Sequence, residues 1–296
     1  MIERTYNEFL YPSGVNRPTF DKLASGMDAS QVTATITGRV TGGIPRDTVI
    51  EIDFELMLVD TVVGNTINLH PTLGRGHLET AAATHAASAP VYVDPKYSKQ
   101  AIFNAIKTVI GTLYPRGVYA RKVDSTQLFT TRGVIDAPAG ATKVLAITAR
   151  DGLSSPVYLN QLRKGIDFIE FMEFTPPKIQ LLRGGTENGE MHIVYKTEPT
   201  IPATVTDDLD TLSSPIPSRL QNYLPMAAAA YLLQGKEPSR TQIEDIRRAL
   251  ASQGIQVGSA LNVGNQLLGL FYNQYVAPEA DRLREQDSVG IEFVRR

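Results

Sequence analysis

From residue 31 to residue 199 the chain sets apolar against polar positions in short alternating runs, broken once by a stretch with helical spacing. The run QVTATIT at 31–37 and the longer TVIEIDFELMLVDTVVGNTINLHP at 48–71 have period two and many β-branched residues, the pattern of half-buried strands. Gly64-Asn65 divides the longer run. Both residues tolerate positive φ, so a hairpin is predicted there, with Leu56, Leu58, Val62 and Ile67 on shared faces. PVYVD at 90–94 predicts a further strand. In YSKQAIFNAIKTVIGTLYP the period changes: Ile102, Ile106, Val109, Ile110 and Leu113 recur at spacings of three and four. That predicts an amphipathic helix over 98–114, capped by Ser98 and stopped by Pro115. Alternation returns in TKVLAITA, IDFIEFMEF, KIQLLRG and MHIVYKTEP, separated by the turn-forming APAGA, TPP and GGTENGE, so residues 128–200 read as a small antiparallel sandwich.

A linker rich in Pro, Ser, Thr and Asp at 201–218 then leads to three helical patterns, at 219–235, 239–254 and 259–287. The first is alanine-rich between Met226 and Leu233, which suits close approach of a second helix, and Pro225 marks its start or a kink. The third has Leu261, Leu268, Phe271, Tyr272 and Tyr275 as its apolar side and Pro278 as a bend. The closing SVGIEFVRR reads as an extended tail. Together these elements predict an α+β protein, in which a helical connector part (the C-terminal helices plus helix 98–114) accompanies antiparallel β modules. The expected segments are a β-rich module at 1–95, a helix and connection at 96–127, the sandwich at 128–200, the linker at 201–218, a helical part at 219–286 and the tail at 287–296.

Composition narrows the function classes. Zero cysteines among 296 residues exclude disulfides, thiolate metal sites and a cysteine nucleophile. A net charge of −2 and a pI near 6.1 argue against a broad basic footprint for nucleic acid. The amino-terminal MIERTYNEFLYPSG is too charged for a signal peptide, and no apolar run approaches the ~20 residues that span a bilayer, so no membrane partner is expected.

Candidate chemistry is sparse. His77 and His85 are eight positions apart, without the close spacing of a helical metal pair, and Glu79 is the nearby carboxylate. His70 precedes a proline and His192 lies inside an alternating strand, so each reads as a structural residue with one hydrogen bond. Ser154-Ser155 has no Gly-x-Ser-x-Gly context, GGTENGE lacks the lysine and following helix of a phosphate loop, and Asp207, Asp208 and Asp210 lack the glycine and distal glutamate of a calcium loop. No catalytic, metal or cofactor set emerges, and a non-enzymatic role without cofactor is expected.

The stretch FELMLVDTVVGNTINLHPTLGRGHLETAAATHAASAPVYV resembles a module of tailed-bacteriophage virion proteins. In that module a hairpin E-x-x-x-V-x-x-V-x-G-N-x-h-x-V, h being apolar, leads into R-G-x-x-G-T-x-A-A-x-H-x-x-G-x-x-V. Glu55, Gly64, Asn65, Arg75, Gly76, Thr80, Ala81, Ala82, His85, Ala86 and Val91 carry the match. The chain departs from the pattern at Glu79 and Ser88, where glycine is usual. Downstream, the succession of VDPKYSKQAIFNAIKTVIGTLYP, APAGATKVLAITA, the strands through MHIVYKTEP, an acidic linker and an alanine-rich helix is similar to head–tail connector proteins over roughly residues 50–275.

This resemblance implies a head–tail adaptor of the virion neck, assembled in the host cytoplasm. Such a protein forms a homo-oligomeric ring, dodecameric in that family, that docks on the portal protein, meets downstream neck or tail proteins and passes genomic DNA in passive contact. Within it Arg75, Gly76, Thr80 and His85 are expected to tie a turn together, and Phe271, Tyr272, Tyr275, Arg282, Arg284, Ile291, Phe293, Arg295 and Arg296 to face the portal or a neighbouring subunit. The alternatives are another virion component, such as a stopper, tail-tube or fibre-attachment protein, or a hydrolase or carbohydrate-binding module built on the sandwich.

Overall fold

Short strands with one apolar face each build the first core in the computed structural model, which describes residues 1–10, 20–38, 43–129, 133–149, 160–182, 189–204, 207, 209, 212–235 and 260–289. They are β1 Phe20–Lys22, β2 Thr33–Thr35, β3 Val49–Ile52, β4 Glu55–Val63, β5 Thr66–Leu69 and β6 Pro90–Val93. All pair antiparallel in the order β1-β6-β3-β4-β5-β2. The two outer strands then meet: Leu23 bridges Ile36, with Ala24 N–H donating to Thr35 O at 2.7 Å and Thr37 N–H to Lys22 O at 2.8 Å. This contact closes the sheet into a small barrel and removes edges that would otherwise expose unpaired backbone groups. Ile50, Ile52, Met57, Val59, Ile67 and Val91 fill it with no measurable exposure, each contributing about 1.5–3 kcal/mol by leaving water.

The hairpin expected at Gly64-Asn65 is present, with Gly64 at φ 64° and Val63 opposite Thr66. Its inward face is offset from the expected one. The barrel core takes Met57 and Val59 from β4 rather than Leu56 and Leu58. The preceding tight turn at Asp53-Phe54 pairs Ile52 with Glu55, which fixes the phase of β4, and a register shift between Val59 and Thr61 lets Val62 pack on the core.

Helix α2, Lys99–Gly111, is preceded by Ser98, whose Oγ accepts from Ala101 N–H at 3.1 Å as a cap should. The buried Glu51 carboxylate on β3 accepts from Lys99 N–H at 2.5 Å, which places negative charge at the helix start. Ile102, Ile106, Val109, Ile110 and Leu113 are all buried, the face that the spacing predicts.

A second β region has two antiparallel sheets. One joins β7 Ala120–Asp124, β8 Leu128–Phe129, β10 Lys143–Ala149, β11 Asn160–Leu162 and β14 Gly189–Thr197; the other joins β9 Gly133–Asp136, β12 Phe168–Phe171 and β13 Lys178–Leu181. Val144, Ile147, Phe168, Ile179, Leu181, Met191 and Ile193 from both sheets share one core, so the region is a sandwich. It begins with β7, earlier than the predicted start at 128.

Toward the C-terminus lie α3 Ser218–Gln221, α4 Leu224–Gly235, α5 Ala260–Leu270 and α6 Ala277–Val289, with a π-helical turn Phe271–Val276 joining α5 to α6. The short α1 Ile2–Arg4 and the π turn Thr5–Leu10 open the chain and pack on α4. The alanine run of α4 is buried throughout, and α5 crosses it closely. A β-carbon on Gly264 would lie 2.8 Å from Ala230 O.

The buried side of the last helices is Val263, Leu267 and Phe271, then Val276, Ala280 and Leu283. The step of five between Phe271 and Val276 is the extra residue of the π turn, which shifts the face and leaves Tyr272 and Tyr275 beside the core rather than in it. The wide turn also lies where the Pro278 ring would meet the carbonyl four residues earlier. Residues 287–289 continue α6, so the helix reaches into the stretch expected to be extended. The helix expected at 239–254 lies outside the described residues.

The chain forms two compact units, each drawn from two segments: Met1–Thr108 with Leu224–Gly269, and Val109–Tyr223 with Leu270–Arg296. The helical part expected at 219–286 as one block is therefore divided between them. The class is α+β. Among the described residues no helix is long and apolar enough to cross a membrane.

Candidate functional site

The motif residues of the first unit converge on one carboxylate. Glu55 stands at the inner start of β4 and is buried, as is His85. Arg75 grips Glu55 bidentately, Nε to Oε1 at 2.7 Å and Nη2 to Oε2 at 2.9 Å. Gly76 N–H and Ala83 N–H each donate to the same carboxylate at 2.9 Å, and His85 Nε2–H donates at 2.9 Å. The remaining Arg75 donors reach three backbone carbonyls, Asp28 O at 2.7 Å, Gln31 O at 2.6 Å and Ala83 O at 2.7 Å. All five guanidinium N–H groups thus have acceptors. One side chain ties the 28–31 loop, β4 and the 75–83 loop together.

His85 is held on both sides. Its Nδ1–H donates to Asp53 Oδ2 at 2.8 Å, opposite the Glu55 contact. Both acceptors are carboxylates, so the ring carries both protons and is a buried imidazolium. Burial alone pulls its pKa down, yet the hydrogen bonds and charges of Glu55 and Asp53 outweigh that and raise it. Burial likewise pushes Glu55 up, and the hydrogen bonds from His85, Arg75, Ala83 and Gly76 reverse this, bringing it from 4.5 to about 2. The His85 backbone also exchanges hydrogen bonds with Met27 at 2.9 and 2.7 Å.

The loop conformations that serve this cluster are local. Gly76 has φ 59°, and a β-carbon there would come within 2.8 Å of Thr80 O. Thr80 Oγ1 accepts from Leu56 N–H at 3.1 Å and donates to His77 O at 2.8 Å. Ser88, where glycine is expected from the resemblance, has a left-handed backbone, φ 68°. His77 is not brought to His85, whose ring nitrogens are both taken by carboxylates. Among the described residues no group of three or more His, Asp or Glu is placed to hold a metal ion. His70 Nδ1 accepts from Leu73 N–H at 3.2 Å, and His192 pairs with Glu190 at 2.7 Å.

In the second unit the expected interface residues separate. Phe271 is fully buried, so its ring belongs to the core and is not presented to a partner. Tyr272 is half-buried; its hydroxyl lies 3.0 Å from Thr112 Oγ1, and the Arg116 guanidinium lies over its ring at 3.6 Å. Tyr275 stacks on Tyr223 with centroids 3.6 Å apart and planes 19° from parallel. Arg282 Nε donates to the buried Glu279 at 2.9 Å, and Arg284 to the exposed Asp281 at 2.9 Å. Ile291, Phe293, Arg295 and Arg296 lie outside the described residues.

A cleft of about 700 Å³ opens beside the π turn, with Arg116, Lys196 and Arg284 along it and Tyr114, Tyr119 and Tyr272 as aromatic wall. Lys196 pairs with Asp287 at 2.7 Å and lies over the Tyr119 ring at 3.7 Å, while the Tyr119 hydroxyl donates to Leu283 O at 3.0 Å and to Asp287. Sequence reasoning missed Glu55 and Asp53 as centres of the first cluster, and Arg116 and Lys196 in the second. Glu55 stood in the matched pattern; the other three carry no local signal. Neither protein-family models nor curated proteins match this chain.

Proposed function

We propose that this chain is a noncatalytic head–tail adaptor of a tailed-bacteriophage virion, one subunit of a homo-oligomeric ring that docks on the portal and continues the DNA channel toward the tail. The observation that carries the reading is the cluster around Glu55. Residues of the virion-module pattern, up to thirty positions apart, meet there, and their donors are spent on loop carbonyls and two carboxylates rather than directed into a pocket. A ring subunit needs rigid surfaces that repeat one heterologous contact around an axis, and a closed barrel with a cross-tied loop supplies one. The ring, in this reading dodecameric, sits in the virion neck after assembly in the host cytoplasm, with the portal and downstream neck or tail proteins as neighbours.

The test is electron microscopy of the purified chain, alone and with portal rings. Closed rings that cap the portal are the expected result. Tubes or filaments would reassign the chain to the tail tube, and monomers that hydrolyse or bind glycans would reassign it to the sandwich-based alternative.

A further inference from the structure

The geometry points to the cleft beside the π turn as a carboxylate-recognition site that receives the acidic linker of a second copy of this chain; it rests on the ring reading for the identity of its occupant. Arg116 is the receptor. Its guanidinium carbon lies over the Tyr272 ring, 3.6 Å from the centroid, and the ring beneath it is pinned by the Thr112 contact at 3.0 Å. Among the described residues, no carboxylate or carbonyl accepts from it. A planar fork held over a ring, with its donors uncommitted, is matched to a carboxylate and has little freedom left to lose on binding.

Arg284 stands at the same rim. One of its terminal nitrogens lies 3.4 Å from where a β-carbon of Gly117 would be, next in the chain to Arg116. Its partner Asp281 is an exposed neighbour three residues away, and such pairs exchange readily for a better-placed carboxylate. Lys196 is different, since Asp287 and Tyr119 hold it, and it forms wall rather than receptor.

Two exchangeable guanidiniums on a chain of net charge −2 match one or two carboxylates better than a polyphosphate, which needs a row of cations along its path. The sequence contains a complementary segment. Between Lys196 and Arg219 there is no Lys or Arg, and Asp207, Asp208 and Asp210 cluster in the middle. Asp207 is engaged within its own copy, accepting from Thr204 N–H at 2.9 Å and Ala203 N–H at 2.7 Å, so Asp208 and Asp210 are the carboxylates assigned to the neighbouring cleft. In a ring this makes one heterologous contact, donor cleft to acceptor linker, repeated around the axis.

A fluorescein-labelled peptide of residues 204–213, titrated with the full-length chain and read by polarisation, tests this. Binding is expected, with affinity lower by about tenfold in Arg116→Gln, lower to a smaller degree in Arg284→Gln, unchanged in the charge-matched Arg46→Gln, and abolished when Asp208 and Asp210 of the peptide are replaced by Asn. No binding, or equal affinity of the wild type and Arg116→Gln, overturns the proposal. A dT12 oligonucleotide that binds in an Arg116-dependent way while the peptide does not would overturn it in favour of a phosphate site. Peptide binding is read on the subunit without requiring assembly. Intact binding without ring formation would therefore count against the adaptor reading, and ring formation without peptide binding against the cleft.

Discussion

The Glu55 carboxylate and the His85 imidazole meet at 2.9 Å across thirty positions of sequence, both inside the first unit and both withdrawn from water. With Arg75 and Asp53 they form an alternating chain of charges in which Glu55 and His85 each lie between two opposite partners. Such a cluster is costly to desolvate, so it stabilises the fold only while it is complete.

Breaking it is expected to be severe. Glu55→Gln leaves the buried His85 and the half-buried Arg75 without their shared counter-ion and should lower stability by about 3–5 kcal/mol. His85→Asn should also destabilise the barrel, whereas His77→Asn on the half-exposed turn should be within about 0.5 kcal/mol of wild type. Urea unfolding of the three variants checks this, and a mild Glu55→Gln would mean that the cluster is not a structural clamp.

The same cluster predicts a pH dependence. The folded pKa of His85 is raised, so its contribution is complete below the ordinary value of 6.5 and is lost as pH rises through the folded value. Glu55 is lowered from 4.5 to about 2, so its contribution, on the order of 3 kcal/mol, is complete above pH 4.5 and is lost as pH falls toward 2. Stability from the pair should therefore be greatest between about pH 4.5 and 6.5. Melting temperatures across pH 4–9 should decline on the alkaline side in the wild type and lose that slope in His85→Gln.

Close helix packing gives a third expectation. Ala228 and Ala229 have no measurable exposure, and Gly264 faces the Ala230 carbonyl, so Ala229→Leu and Gly264→Ala should each cost about 1–3 kcal/mol by overpacking. Thermal unfolding at wild-type temperature would show that α4 and α5 separate without penalty.

Ser88 should accept glycine with gain. Its left-handed backbone costs a side chain about 1–3 kcal/mol, part of which is offset by the greater freedom of glycine in the unfolded chain. Ser88→Gly is expected to raise stability by about 0.5–1 kcal/mol in denaturant titrations, and Gly76→Ala, at φ 59° against the Thr80 carbonyl, to lower it.

Local patterning determined much of this protein. Period two located β2 to β6, β10 and β12 to β14 but not β1, β7, β8, β9 or β11, Gly64-Asn65 located the hairpin, and the spacing of Ile102, Ile106, Val109 and Leu113 the buried face of α2, because alternation and helical repeat are properties of neighbouring residues. The matched pattern also held Glu55, Arg75, Gly76 and His85, though neither their arrangement nor Asp53. What tertiary structure alone decided is where one residue of phase matters. The turn at Asp53-Phe54 set Met57 and Val59 inward in place of Leu56 and Leu58, and the π turn moved the buried face from Phe271 to Val276, leaving Tyr272 for Arg116. The barrel closure of Leu23 on Ile36 and the meeting of Asp53, Glu55, Arg75 and His85 join residues separated by more than a strand length. Their energies come from hydrogen bonds and charges that do not exist until the chain has folded, so no local period encodes them.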